Sequence, residues 1–349
     1  MKRVFLLIAV FMLAKAGFSQ DFHFSMFNEN PLNINPALTG AFPGDHRMIV
    51  NYKNQWQSIS DPFRTYSGSY DAGLFKKDAE SGYLSAGIQF LNDVAGTSEF
   101  TTTKFDVSLA YHVVLGYTST LSAGISGGFC QRSLNSSALY WDNQYDGNGG
   151  FDQTVSSGET STFENFGYSD FSAGLMYSFA TEESSMASND GIKFNIGFAS
   201  YHINQPKLTF ANVDTEQLFA KYMVHARGQF GIFSSNTAVV AQGMFANQGP
   251  AREIVAGVGL RFMLTEQSHY TGFMKESALT IGAAYRVGDA IIPQLMLEIA
   301  NFAIGIGYDV NTSGLNVASN SKGGTEIFLR YINPSPFRYQ NKSFNKSFF

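Results

Sequence analysis

A chain of 349 residues with a net charge of −5 carries only 15% charged residues, against about a quarter in an ordinary globular domain, yet 15% are aromatic. No basic cluster marks a nucleic-acid surface, and the single cysteine, Cys130, excludes an intramolecular disulfide. After residue 20 no window approaches the roughly 18 apolar residues of a membrane helix, so the 33 Phe and 17 Tyr must follow some other period.

The chain opens with Lys2 and Arg3, an apolar run from Val4 to Leu13, and small residues at Gly17 and Ser19. This pattern predicts a secretory signal peptide over 1–19, cut before Gln20, with Ala14 and Ala16 offering an earlier cut. The apolar run is too short to anchor the chain as a helix, and no Cys follows it to make a lipoprotein. Next comes "NENPLNINPALTGAF", Asn28 to Phe42, with Leu32, Ile34, Leu38 and Phe42 around two Asn-Pro steps. Pro31 and Pro36 fix φ and bias the residues before them away from helix. The prediction is an ordered segment, 20–45, packed against or into one mouth of whatever follows.

From residue 46 the period is two. In "FDVSLAYHVVL", Phe105, Val107, Leu109, Tyr111, Val113 and Leu115 alternate with Asp106, Ser108, Ala110, His112 and Val114. About fourteen strands are predicted, near 46–54, 64–74, 83–92, 103–116, 119–132, 167–179, 190–202, 221–233, 237–247, 252–265, 277–287, 290–300, 302–311 and 324–332. Most have the length that a tilted strand needs to cross a bilayer. One face of these strands is nearly all apolar. The other collects Lys104, Asp106, His112, Arg132, Asp170, Lys193, His225, Arg227, Glu253, Arg261, Arg286, Glu298, Asp309, Glu326 and Arg330. That is the polarity of a transmembrane antiparallel β-barrel, lipid outside and a mixed-charge lumen inside. Tight connections at Gly116–Thr118, Ser234–Asn236 and Ala300–Asn301, with the short "KKDAES" turn, fall on one side. The long segments 133–166, 203–220 and 311–323 fall on the other, and 266–276 breaks the pattern. The asymmetry places both chain ends in the periplasm. The expected organisation is therefore a signal peptide (1–19), an Asn-Pro segment at the periplasmic mouth (20–45), an outer-membrane barrel (46–332) and a periplasmic tail (333–349).

Three motifs invite chemistry. "GISGG", Gly124 to Gly128, fits the G-x-S-x-G nucleophile elbow, but Ser126 falls mid-strand and not on the strand-to-helix turn that exposes such a serine. The histidines His23, His46, His112, His202, His225 and His269 show no metal-ligand spacing on a shared element. In "WDNQYDGNGGFD", Asp142, Gln144, Asp146 and Gly147 take positions of a calcium loop, but position twelve is Gln153 instead of Glu. A Gly/Asn turn cluster in an outer loop accounts for it. The reading is a non-enzymatic protein with no cofactor and no metal. The rival is an outer-membrane transporter for a hydrophobic solute, which would need an apolar pocket in the lumen.

The stretch "FSMFNENPLNINPALTGAFPGDHRMIVNYKNQW" with "DPFRTYSGSYDAGL" resembles the PorP/SprF family of type IX secretion outer-membrane proteins. The motif residues are Asn30, Pro31, Leu32, Asn35, Pro36, Ala37 and Gly40, then Tyr52, Asn54, Gln55 and Trp56 at the end of the first strand. "WDNQYDGNGGFD" and the final "GGTEIFLRY" also match, whereas the tail after Ile332 departs from members that end near their last strand. The resemblance implies a Bacteroidetes outer-membrane component that helps export or anchor a surface protein, such as a gliding adhesin bearing a C-terminal signal. It also implies periplasmic lipoprotein or motor-ring partners. The outer loops 133–166 and 203–220 would meet the surface protein, with lipid around the wall.

Overall fold

The computed structural model describes residues 21–57, 61–74, 76, 81–116, 118–135, 138–148, 150–152, 154–158, 165–181, 191–208, 216–265, 277–314 and 319–333. The expected signal peptide, Gln153, His269, the 266–276 connection and all of the tail beyond Asn333 lie outside these residues.

Fourteen strands close into one antiparallel barrel: β1 (His46–Gln55), β2 (Phe63–Leu74), β3 (Gly82–Ala95), β4 (Phe100–Val114), β5 (Ser119–Ser133), β6 (Phe166–Ala180), β7 (Ile192–Tyr201), β10 (Lys221–Gly231), β11 (Thr237–Gln248), β12 (Ala251–Thr265), β13 (Ser277–Arg286), β14 (Ala290–Ile299), β15 (Phe302–Asn311) and β16 (Lys322–Asn333). Each pairs with its sequence neighbour, and β1 pairs with β16 from His46↔Asn333 to Gln55↔Gly324 to shut the ring. The count and order are those the alternating pattern predicts. The pattern missed a two-stranded hairpin, β8 (Lys207–Leu208) with β9 (Glu216–Gln217), inside the long β7–β10 connection. Two-residue strands are too short to show a period.

The wall is inside-out by the standard of a water-soluble core. Along β4, Lys104, Asp106, Ser108, Ala110 and His112 are buried, while Phe105, Val107, Leu109, Tyr111 and Val113 are exposed. Lipid covers such an apolar outer band. Pro293 sits in β14 opposite Ala283 of β13, and the ladder to β15 skips Ile292 and Pro293. A proline lacks the N–H that the ladder needs, so one side of the strand loosens while the other keeps its pairing.

The barrel has a near mouth, where β1 begins and β16 ends, and a far mouth, where β1 ends. Residues 21–45 are enclosed by the wall, with Ser25, Asn35, Ala37 and Thr39 fully buried. Three single-turn 3-10 helices, Phe27–Glu29, Pro31–Asn33 and Pro36–Leu38, give the segment its shape. Proline opens two of them, at the position where its missing N–H has no helical partner anyway. Phe27, Ile34, Ala37 and Leu38 join wall residues Met176, Tyr201, Met223 and Met244 in one buried apolar cluster.

Candidate functional site: a lumen filled by its own N-terminal segment

The two Asn-Pro steps are the centre of the site. Asn35 caps the helix behind it by accepting from Ala37 N at 2.8 Å. Its amide nitrogen donates outward to the strand carbonyls of Leu175 (3.0 Å) and Phe198 (3.3 Å), and stands 3.1 Å from His225 Nε2. Gly174 and Gly197 make that approach feasible, because a Cβ on either would run into the Asn35 side chain. Asn30 makes no cap bond and is free for the wall. It donates to Ser67 Oγ (3.1 Å) and accepts from Gln89 Nε2 (2.9 Å). Pro31, Leu32, Pro36 and Ala37 are buried between these anchors, and the Leu32 carbonyl accepts from Tyr201 OH at 3.1 Å.

At the near mouth, Arg47 grips Asp71 with two bonds, 2.9 and 2.7 Å, and also donates to the Leu38 carbonyl at 3.1 Å. Asp71 accepts in turn from Gly40 N at 2.7 Å. Gly40 has φ +71 and a Cβ there would strike Ser85, so both conformation and space require glycine. His112 stands between the Thr39 carbonyl (2.7 Å) and Ser122 Oγ (2.6 Å). Since a carbonyl only accepts, Nε2 carries the proton and Nδ1 accepts from the serine.

Midway, Glu29 receives Arg330 at 2.6 Å and Arg227 at 3.3 Å. Arg330 and Arg261 both reach Glu298, at 3.1 and 2.8 Å, so the wall charges continue the chain of pairs. Higher up, Glu326 accepts from the backbone N–H groups of Ser25 (2.6 Å) and Met26 (3.1 Å). Arg286 joins Asp309, Glu253 and Ser25 Oγ at 3.0, 3.3 and 2.7 Å, and Lys53 donates to the His23 carbonyl at 3.0 Å.

At the far mouth Asp21 meets His202, just beyond β7, at 2.7 Å, with Arg132 and Lys221 each 3.9 Å away. The other His202 nitrogen faces Asp170 at 2.8 Å, and Asp170 pairs with Lys104, itself 3.2 Å from Asp106. Burial pulls the His202 pKa down, but the two carboxylates outweigh it and hold it above its ordinary value. Burial also pushes Asp21 up, yet His202, Lys221 and Arg132 hold it well below the usual carboxylate range. Each partner is thereby held toward its charged form, imidazolium against carboxylate.

Residues 21–45 thus run the full height of the barrel, from the far mouth at Asp21 to the near mouth at Asp45, and not only the end where β1 starts. The lumen charges picked out from the sequence omit several members of the site: Asp21, Glu29, Arg47, Lys53, Asp71 and His202. Arg47, Lys53 and Asp71 follow the inward parity of β1 and β2, which is the signal that finds them. Asp21 and Glu29 sit outside any alternating run, and His202 lies past the end of one. Tyr52, Asn54 and Gln55 stay clear of this centre and finish β1 at the far rim, with Trp56 just beyond it. Tyr52 packs on Tyr66 (5.0 Å) and Trp56 on Phe63 (4.7 Å), with Trp56 N donating to the Gly323 carbonyl at 2.8 Å. Ser126 lies inside β5, opposite Ser108 and Ser172. In the 134–165 connection, Asp146 Oδ1 accepts from Asn148 N and Gly150 N, and the Gln144 amide is taken by Trp141 N and the Val155 carbonyl. Among the described residues no three His, Cys, Asp or Glu side chains converge as metal ligands do.

An antiparallel barrel with an apolar outer band and a filled, charge-paired lumen is a membrane protein of the outer-membrane type. Residues 16–331 match the family described as type IX secretion system membrane protein PorP/SprF, and the chain belongs to that family. Among solved structures it is similar to the Ralstonia pickettii toluene transporter TbuX (10% identity, 88% of this chain and 94% of that one, TM-score 0.48). It is also similar to CdiB from Acinetobacter baumannii (9% identity, 82% of this chain and 60% of that one, TM-score 0.41). At such identities the likeness concerns barrel architecture only. No curated protein matches the chain.

Proposed function

We propose that this protein is a non-enzymatic outer-membrane barrel of the type IX pathway that helps export or anchor a surface protein, with an adhesin as the type of cargo. The near mouth faces the periplasm and the lipoprotein or motor-ring components there. The far mouth, with the longer connections, faces outward and meets the surface protein. One observation carries the reading: the lumen is occupied along its height by residues 21–45, held by ion pairs and backbone hydrogen bonds. A filled barrel works through its rims and outer wall, not as a conduit. The same filling speaks against a transporter for a hydrophobic solute, which needs an apolar passage where this lumen has paired charges.

Deleting the gene and comparing secreted and surface-attached proteins with wild type tests the proposal. Loss of one or a few surface proteins carrying C-terminal signals is the expected result. Unchanged secretion and display, together with lost uptake of an apolar solute, would overturn it.

A further inference from the structure

The 134–165 connection carries a small ordered unit that the plugged lumen does not explain. Tyr145 and Phe151 form an isolated β-bridge. The Phe151 ring packs at 5.2 Å on Tyr140 and 5.4 Å on Tyr145. All three rings remain about half exposed, at 55% for Tyr140, 51% for Tyr145 and 46% for Phe151. Asp146 and Asp152 hold the turn, accepting from Asn148, Gly150 and Thr154 N–H groups, so the rings are presented on a fixed frame.

An exposed aromatic cluster above the strand ends is not covered by the bilayer, because β5 stops at Ser133 and β6 starts at Phe166. Its surroundings say what covers it. Between Arg132 and Lys193 the sequence contains no Lys, Arg or His, while the connection itself carries Asp142, Asp146, Asp152, Glu159 and Glu164. Asp142, Asp146 and Asp152 are exposed, and Glu99 adds a further exposed carboxylate tied to Asn135 at 2.9 Å. The exposed rim cations Arg64, Arg252 and Lys322 belong to β2, β12 and β16, three or more strands away, and Lys207 on β8 is the neighbouring one. Among the described residues no three of these carboxylates converge on a point, which suits an extended cationic surface better than a metal ion. Guanidinium groups stack on aromatic faces and pair with carboxylates at the same time, which ammonium groups do less well.

We propose that the Tyr140–Phe151–Tyr145 cluster with its carboxylate fringe is a docking surface for an arginine-rich segment of a protein partner. It deepens the reading above, in which the far face meets a surface protein, by assigning that partner its chemistry.

The test uses the intact protein in lipid nanodiscs and a fluorescent peptide alternating Arg and Gly, read by anisotropy. The expected result is saturable binding that weakens about tenfold in Tyr140→Leu/Tyr145→Leu, the loss of two cation–π contacts. Tyr140→Phe/Tyr145→Phe, which keeps the ring faces, retains wild-type binding and shows that the loop still folds. Asp142→Asn/Asp152→Asn weakens binding, and a Lys-Gly peptide binds less tightly than the Arg-Gly one. Equal binding by the Leu variant, or equal binding of a Ser-Gly peptide, overturns the proposal. Which face is outward does not affect this measurement. Protease access to the 134–165 connection in intact cells tests that separately.

Discussion

The residues of the N-terminal segment matter less for what they bury than for what they satisfy. Asn35 serves one backbone N–H in its own helix and two carbonyls of the wall. Replacing it by Ala is expected to destabilise the filled barrel by about 2–4 kcal/mol, a lost cap plus two lost donors. The measurement is the urea midpoint of the folded-barrel band in unheated gels. Asn35→Asp keeps the cap acceptor but has no donor for Leu175 and Phe198, so it recovers only the smaller part. The Asp21–His202 latch has a pH window. The His202 pKa is raised from 6.5, so its share of stability is full below about 6.5 and fades as pH climbs through the higher folded value. The Asp21 pKa is lowered from 3.8, so its share holds above about 3.8 and fades as pH falls. A protease site placed before Asp21 should therefore be cut faster at alkaline pH. His202→Gln should remove that dependence, and a pH-independent wild type would refute the latch.

Among elements, the strands were legible in the sequence and the filling of the barrel only in part. Eleven residues of strict alternation at Phe105–Leu115 leave no choice of structure or of face, and each later run repeats the argument. The Asn-Pro segment shows in its sequence that it is stiff and half apolar, because proline acts locally. Its path does not show, because Asn30, Asn35 and Glu29 find partners 37 to 301 residues away. The β8–β9 hairpin is too short to show a period, and of the far-mouth cluster only Asp21 and His202 fall outside one, since Lys104, Asp106, Arg132 and Asp170 belong to alternating strands. The path has a direct electrical consequence. The whole protein in a planar bilayer is expected to conduct little or nothing, whereas a chain lacking residues 21–40 should open channels. Arg227, Arg286 and Arg330 then line the pore with fewer carboxylate or hydroxyl partners, so the deletion also destabilises the barrel. Conductance in the intact protein as large as in the deletion would show that the segment is no plug.

Seen whole, the molecule joins a closed ring of fourteen strands to a strap that crosses its interior. Breaking one strap-to-wall ion pair leaves a buried charge behind, at a cost of about 3–5 kcal/mol. Arg330→Met breaks the strap pair to Glu29 and, with it, the wall pair to Glu298. It should lower the temperature at which the folded band disappears on gels, more than Arg261→Met, which removes a pair to the wall residue Glu298. Equal shifts would mean that the strap contributes nothing beyond the wall's own pairs.

The seam between β1 and β16 also dictates an order of events. A loop of chain that passes through a ring must be inside before the ring shuts, or be drawn through afterwards against every contact that holds it. Synthesis delivers residues 21–45 before any strand, and β16 last, so the strap is available as a mandrel around which the strands can be laid. The ten residue pairs from His46↔Asn333 to Gln55↔Gly324 then act as the clasp. Shortening the strap should therefore slow barrel closure as well as empty the lumen.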